Sequence, residues 1–308
     1  MHRPLVLVTS RFLQDQRAAW DDGYDIVASS DFADEMAGRV EVVVSGGEPL
    51  DTKLVDVLPN LKLVACFATG YAGIDLAHLR PRHIALTTAA GVNAHDVADH
   101  AIALMLAWWH GIPAADRAVR TAKWQEGLAA RASLRGRRAG IVGFGRIGWE
   151  IARRAEAFGM AVQWWGPRDK PGVPYQRAAS LLTLARETDI LFVASRAIRA
   201  NAKQIDGEVF AALGANGLLV NISRGCLVDE GALIQALENR TIAGAALDVF
   251  EQEPTNARLW SRFDNVVLSP HIAGYTREAG IGMFGQLREN LRRHFAGEPL
   301  LTPVHDPL

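Results

Sequence analysis

Residues 139–150 read Ala-Gly-Ile-Val-Gly-Phe-Gly-Arg-Ile-Gly-Trp-Glu. Gly143, Gly145 and Gly148 fall in the spacing G-x-G-x-x-G after an apolar, strand-like run. Ile151, Ala152, Ala155 and Phe158 then continue at helical spacing to Gly159, a residue suited to end a helix. In a chain with 28 glycines the spacing alone says little; between a strand and a helix it is a dinucleotide-binding fingerprint, against the simpler alternative of a ligand-free glycine turn. Gly143 makes the tight turn, Gly145 lets the backbone approach a pyrophosphate, and Gly148 lets helix pack on strand. Arg146 and Ile147 open a helix whose free N–H groups face the phosphates.

The same alternation of a short apolar run and a longer amphipathic one recurs along the chain. Pro4–Val8, Val40–Val44, Lys62–Cys66 and Ile84–Thr87 form one series, with helical spacing in stretches such as Leu50–Leu58. Ala139–Gly143, Ala161–Trp165, Ile190–Ser195, Leu218–Ile222, Ala243–Leu247 and Val266–Leu268 form a second. Such a pattern predicts an α/β chain with two doubly wound, parallel-sheet domains, covered on both faces. A length of 308 residues fits two domains at roughly 150 residues each. Between the series, Asp96 to about Trp109 reads as a helix with Val97, Ala101, Leu104 and Trp108 on one face, widened by Ala103 and Leu106. So broad an apolar face predicts burial, with a subunit interface as one place for it.

Composition narrows the function. Lys+Arg 33 against Asp+Glu 34 leaves a net charge of −1 and no footprint for nucleic acid, and 49% hydrophobic residues exclude wholesale disorder. The uncharged stretch His100–Ala115 falls short of the roughly 20 apolar residues of a membrane span, and Leu5–Val8 is too short for a secretory leader. Cys66 and Cys226 have no paired spacing and read as free, buried thiols of a cytoplasmic protein. The histidines at 2, 78, 83, 95, 100, 110, 294 and 305 show no metal-ligand spacing and read as structural or solvated. Small molecules or copies of the chain itself are the expected partners.

Cofactor choice is made near the end of the strand after the fingerprint, where an acid usually binds the ribose hydroxyls of NAD. Here Gly166 stands in that place and Arg168 follows. Without a carboxylate there is no repulsion of a 2′-phosphate, and a guanidinium pairs with it, so NADPH is expected over NADH. The alternative is a solvated Gly-Pro-Arg turn, with Asp169 serving NADH.

Three further segments end strands of the second series, the edge at which such sheets bind ligands: Val220–Gly225, Ala246–Pro254 and Leu268–Gly274. With Ala68–Asp75, Val97–Ala101, the glycine fingerprint and the closing Asn290–Leu300, they make nearly the whole chain resemble the D-isomer-specific 2-hydroxyacid dehydrogenases, most of all the glyoxylate/hydroxypyruvate and hydroxyphenylpyruvate reductases. The resemblance implies Arg224 as the substrate-binding arginine, His271 as catalytic acid/base and Glu253 as the carboxylate that orients it. That set suits 2-oxo acid reduction, which needs a cation for the carboxylate and a proton donor for the oxygen as hydride arrives. It also implies Thr69 and Gly70 as N–H donors to the substrate. Ser195, Arg196, Asn201, Ile222, Asp248, His271 and Gly274 join the fingerprint in the cofactor site. Arg196, Asn201, His110 and Asp99 depart from the usual Pro, Thr, Arg and Glu.

The implied organisation is a discontinuous, flavodoxin-like substrate domain (1–96 and 275–308) around a Rossmann domain (97–274), with a cleft between them, hinges near Asn93–Asp96 and Gly274–Arg277, and a homodimer through the cofactor domain. Trp124 is a candidate to reach a partner's site. A reductase of bulkier aryl-pyruvates and a nucleotide-sensing, corepressor-like binding protein are the alternatives.

Overall fold

Parallel pairing joins all the strands of the computed structural model, which describes residues 3–14 and 23–305. His2 lies outside these residues. The chain divides into two units, 1–93 with 276–308 and 94–275.

In the first unit the strands are β1 (Leu5–Val8), β2 (Asp25–Ala28), β3 (Val40–Ser45), β4 (Leu63–Cys66) and β5 (Ala85–Thr87), in the order β2-β1-β3-β4-β5. This is the flavodoxin-like order. Side chains alternate between two buried faces, which explains why β1 and β4 are apolar at every position. Leu5, Leu7, Val43 and Val64 pack with Leu58 and Leu79 on one face. Val6, Val8, Val42, Val44, Leu63 and Ala65 pack with Leu287 and Leu291 of the Arg277–Ala296 helix on the other. Each such side chain contributes about 1.5–3 kcal/mol relative to exposure. Thr276 caps the start of that helix through Ala279 N–H, and Gly297, at φ 70°, ends it.

The second unit holds β6 (Arg138–Val142), β7 (Ala161–Trp165), β8 (Gln176–Arg177), β9 (Ile190–Val193), β10 (Leu218–Asn221), β11 (Gly244–Leu247) and β12 (Val266–Leu268), ordered β12-β11-β10-β9-β6-β7-β8. Counted from β6 this is the dinucleotide-binding order with one added edge strand, and it reverses between β6 and β9. The buried helix begins at Ala94, two residues earlier than its spacing suggests, and runs to Trp109. Ile102, Met105 and Trp109 lie on its buried side while Ala103 is exposed. The helix packs on the Arg146–Ala157 helix and on β10 to β12. Gly244 keeps that contact close: a Cβ there would lie 2.3 Å from Nε1 of Trp108.

Two strands, β2 and β8, escape the sequence pattern. β2 is an edge strand whose first two residues are only half-buried, and the two residues of β8 are both exposed. Cys226 is exposed rather than buried, because it follows Arg224 and Gly225 in a turn at the end of β10. Cys66 is buried, and burial pushes its thiol up to about 12. Among the described residues no helix is long and apolar enough to cross a membrane, and no group of His, Cys, Asp or Glu is placed to hold a metal ion.

Candidate active site

The carboxyl ends of β6, β9, β10, β11 and β12 carry most of the residues singled out in the second unit. After β6, Gly143 adopts φ 88°, and a Cβ would fall 2.3 Å from Cα of Ser195 at the end of β9. A Cβ on Gly148 would fall 2.3 Å from the carbonyl oxygen of Gly143, so helix and turn are pressed together. Gly145 differs: a Cβ would meet nothing within 4 Å. It is the N-cap of the Arg146–Ala157 helix, and no side chain caps the first turn. Open space above a helix start that no side chain caps suits a pyrophosphate, so the residues present fit a dinucleotide. Arg146 is exposed and Ile147 half-buried in that first turn.

At the end of β7 the carbonyl of Gly166 accepts from Nη2 of Arg177 at 2.7 Å, and that guanidinium lies over Trp164. Arg168 is exposed beside them, and no partner for its side chain is found among the described residues. Asp169 is turned to its neighbour, accepting from Lys170 N–H. Arg177 gives no sequence signal, since it lies in the exposed two-residue β8.

Ser195 Oγ accepts from Gln204, and the carbonyl of Ser195 accepts from Ser223 Oγ. Asn201 spends its amide on its own loop, donating to the carbonyl of Arg196 at 2.9 Å and accepting from Ile198 N–H at 2.8 Å. Ile222 is buried and Gly274 half-buried.

Arg224 follows β10 and is half-buried. Its Nη1 donates to the carbonyl of Ser223 at 2.6 Å, and its other N–H groups have no partner among the described residues. Asn221 braces this turn, donating to the carbonyl of Arg224 and accepting from Ser223 N–H. Gly225 lies flush against the loop after β11, where a Cβ would come 1.8 Å from the carbonyl oxygen of Phe250.

Glu253 and His271, 18 residues apart, meet across that loop. Oε2 of Glu253 lies 2.6 Å from Nδ1 of His271, and Oε1 accepts from Phe250 N–H at 3.0 Å. The side chains are 36% and 44% exposed, so the pair is held by backbone and still reachable. His271 sits at φ 55°, a left-handed conformation that costs a residue other than glycine about 1–3 kcal/mol and persists where neighbours impose it. Asp248 imposes it. Its carbonyl accepts from His271 N–H at 2.7 Å, and its carboxylate accepts from the N–H groups of Ile272 and Ala273 and from Ser269 Oγ. Burial opposes the charge of Asp248, but hydrogen bonds from His100, Ser269, Ile272 and Ala273 outweigh it and hold the carboxyl below the usual range. Asp248 is fully buried, and these bonds make it the brace of the turn.

In the first unit, Thr69 and Gly70 follow β4. Thr69 Oγ1 donates to the carbonyl of Ala89 and bonds Asn93. The N–H groups of Thr69 and Gly70 have no partner among the described residues.

Residues 102–273 match the D-isomer-specific 2-hydroxyacid dehydrogenase, NAD-binding domain family. The chain is 41% identical to a glyoxylate/hydroxypyruvate reductase A of Arabidopsis thaliana over 85% of its own length and 84% of that protein's. It is 38% identical to a hydroxyphenylpyruvate reductase of Plectranthus scutellarioides, over 90% and 89%. Among solved structures it is similar to a 2-hydroxyacid dehydrogenase of Ketogulonicigenium vulgare (TM-score 0.90, 36% identity, 99% of both chains). Another is an NADPH-dependent glyoxylate/hydroxypyruvate reductase of Sinorhizobium meliloti in complex with NADP and malonate (TM-score 0.89, 34% identity, 98% and 97%).

Proposed function

The chain belongs to the D-isomer-specific 2-hydroxyacid dehydrogenase family, and on that premise we propose that it reduces small 2-oxo acids, glyoxylate and hydroxypyruvate first, to the 2-hydroxy acids with NADPH, the D-isomer wherever C2 becomes a stereocentre. The observation that carries this reading is the 2.6 Å contact between Glu253 and His271. With Nδ1 engaged by the carboxylate, Nε2 is the ring nitrogen left for the substrate, and a proton held there passes to the carbonyl oxygen as that oxygen becomes a hydroxyl. Arg224, with guanidinium N–H groups to spare, takes the substrate carboxylate. Thr69 and Gly70 belong to the reading as N–H donors to the same class of anion. The bound nicotinamide would supply the hydride to C2, so each turnover consumes one oxo acid, one NADPH and one proton. In the oxidative direction His271 takes the proton back.

The preference for NADPH is supported by the missing acid at Gly166 and by the guanidinium of Arg168, which has no partner among the described residues. The reading includes a homodimer through the second unit, whose exposed Ile112, Val119, Trp124 and Leu128 are the apolar surface it would cover, and a cytoplasmic setting for two free thiols. The test is steady-state oxidation of NADPH and NADH with glyoxylate, hydroxypyruvate, pyruvate and phenylpyruvate. The expected result is turnover of the first two with a higher kcat/KM for NADPH. Turnover of phenylpyruvate alone would move the assignment to aryl-pyruvates, NADH performing as well as NADPH would remove the cofactor preference, and no turnover of any acid would leave a nucleotide-binding protein.

A further inference from the structure

The long helix of the second unit brings one side chain to the turn that carries His271. Nε2 of His100 lies 2.8 Å from Oγ of Ser269, and that hydroxyl lies 2.6 Å from Oδ1 of Asp248. A serine hydroxyl has a single proton to give. The acceptor-only carboxylate of Asp248 takes it, as a charge-assisted bond of the short kind. The Ser269 oxygen is then left to accept, and His100 must donate through Nε2–H. Donation therefore runs in one direction, from His100 to Ser269 to Asp248. Beyond Asp248 the three consecutive N–H groups of His271, Ile272 and Ala273 all end on this one residue, and the left-handed His271 stands at the head of the three. His100 is only 23% exposed and its Nε2 is 3.4 Å from Asp248 Oδ1 itself, so the imidazole stands beside the carboxylate as well as on the Ser269 hydroxyl.

We propose that His100 is a positioning residue for proton transfer by His271: its N–H aims the Ser269 hydroxyl at Asp248 and so fixes the carboxylate that holds the 271–273 turn. The proposal rests on His271 being the acid/base. Nothing about a lone histidine on an amphipathic helix announces this; the contact spans 169 positions in the chain.

The test compares His100→Leu, which keeps bulk without a donor, with His100→Gln, whose amide keeps an N–H of similar reach, alongside Ser269→Ala and His271→Ala. His100→Leu should lower kcat about tenfold, the scale of a small misplacement of a reacting group, while KM for the oxo acid and Kd for NADPH stay within about twofold. His100→Gln should recover most of that loss, and His100→Leu with Ser269→Ala should be no slower than the worse single variant, because both cut the same chain of bonds. A wild-type kcat in His100→Leu overturns the proposal. So does His100→Gln as slow as His100→Leu, which would mark shape rather than donation. If His100→Leu does not fold, a wild-type kcat in Ser269→Ala overturns it equally. Near-normal turnover in His271→Ala would instead refute the acid/base reading itself, whereas an inactive His271→Ala beside an unimpaired His100→Leu refutes only the role of His100.

Discussion

Substituting alanine for Gly225 tests whether the loops bearing Arg224 and Glu253 work as one piece. The new Cβ would lie 1.8 Å from the carbonyl oxygen of Phe250, 1.9 Å from its carbonyl carbon and 2.4 Å from the nitrogen of Glu251. Every one of these is backbone, so no side chain swings aside. The loops must separate by about 1.2 Å, the difference between that 1.8 Å and the 3.0 Å below which real Cβ atoms have essentially no neighbour. Glu253 is bonded to Phe250 N–H, so the shift reaches the 2.6 Å contact with His271, and lengthened by that amount it leaves hydrogen-bond range. Overpacking costs about 1–3 kcal/mol; at its upper end, for a unit of this size, Tm falls by roughly 6–12 °C. A displacement of about 1 Å at the reacting groups costs on the order of 10²-fold in rate. Gly225→Ala should therefore lose about that factor in kcat/KM for glyoxylate together with several degrees of Tm. Gly231→Ala is the control, since its Cβ meets only Asp229 Oδ1, at 3.4 Å, within a helix. A Gly225→Ala enzyme with wild-type kcat/KM and Tm would show that the two loops move independently.

Arg168→Ala should raise KM for NADPH by about 10- to 100-fold, the weight of a charge-assisted hydrogen bond, and leave KM for NADH unchanged; equal losses on both cofactors would remove Arg168 from the 2′-phosphate. Asp248, whose carboxyl lies below its ordinary value of 3.8 when folded, contributes stability that is complete above the unfolded value and lost as pH falls through the folded one. Asp248→Asn turns an N–H toward groups that already donate, so it should cost on the order of 2 kcal/mol at neutral pH and flatten the decline of Tm below about pH 4. Parallel Tm–pH curves for the two proteins would contradict this.

What can be read from the chain in advance depends on whether a residue's task is local. Gly143 is legible because the backbone of Ser195 leaves no room for a Cβ, a demand that only glycine meets. The apolar runs of β1, β4, β9 and β10 are legible because both faces are buried. Glu253 and His271 come together in the folded loops, and only the resemblance of their segments to a family joins them beforehand. His100, Ser269 and Asp248 all lie in segments that carry the family resemblance, but their network is assembled from three separate elements, so nothing local to any one of them shows that they meet. Arg177 is hidden for the opposite reason: an exposed arginine on a short edge strand looks like any solvated residue, and only its bond to Gly166 singles it out.

The order of synthesis gives the divided first unit a further consequence. Its sheet is complete once Thr87 has been made, yet the residues that cover one face of it, Leu287 and Leu291, are made some 200 positions later. A growing chain therefore finishes all the strands of the second unit while Val6, Val8, Val42, Val44, Leu63 and Ala65 still lack the part of their cover that Leu287 and Leu291 supply. The half that is started first is the last to be closed, and its exposed valines are the part of the newborn chain most in need of protection from other chains.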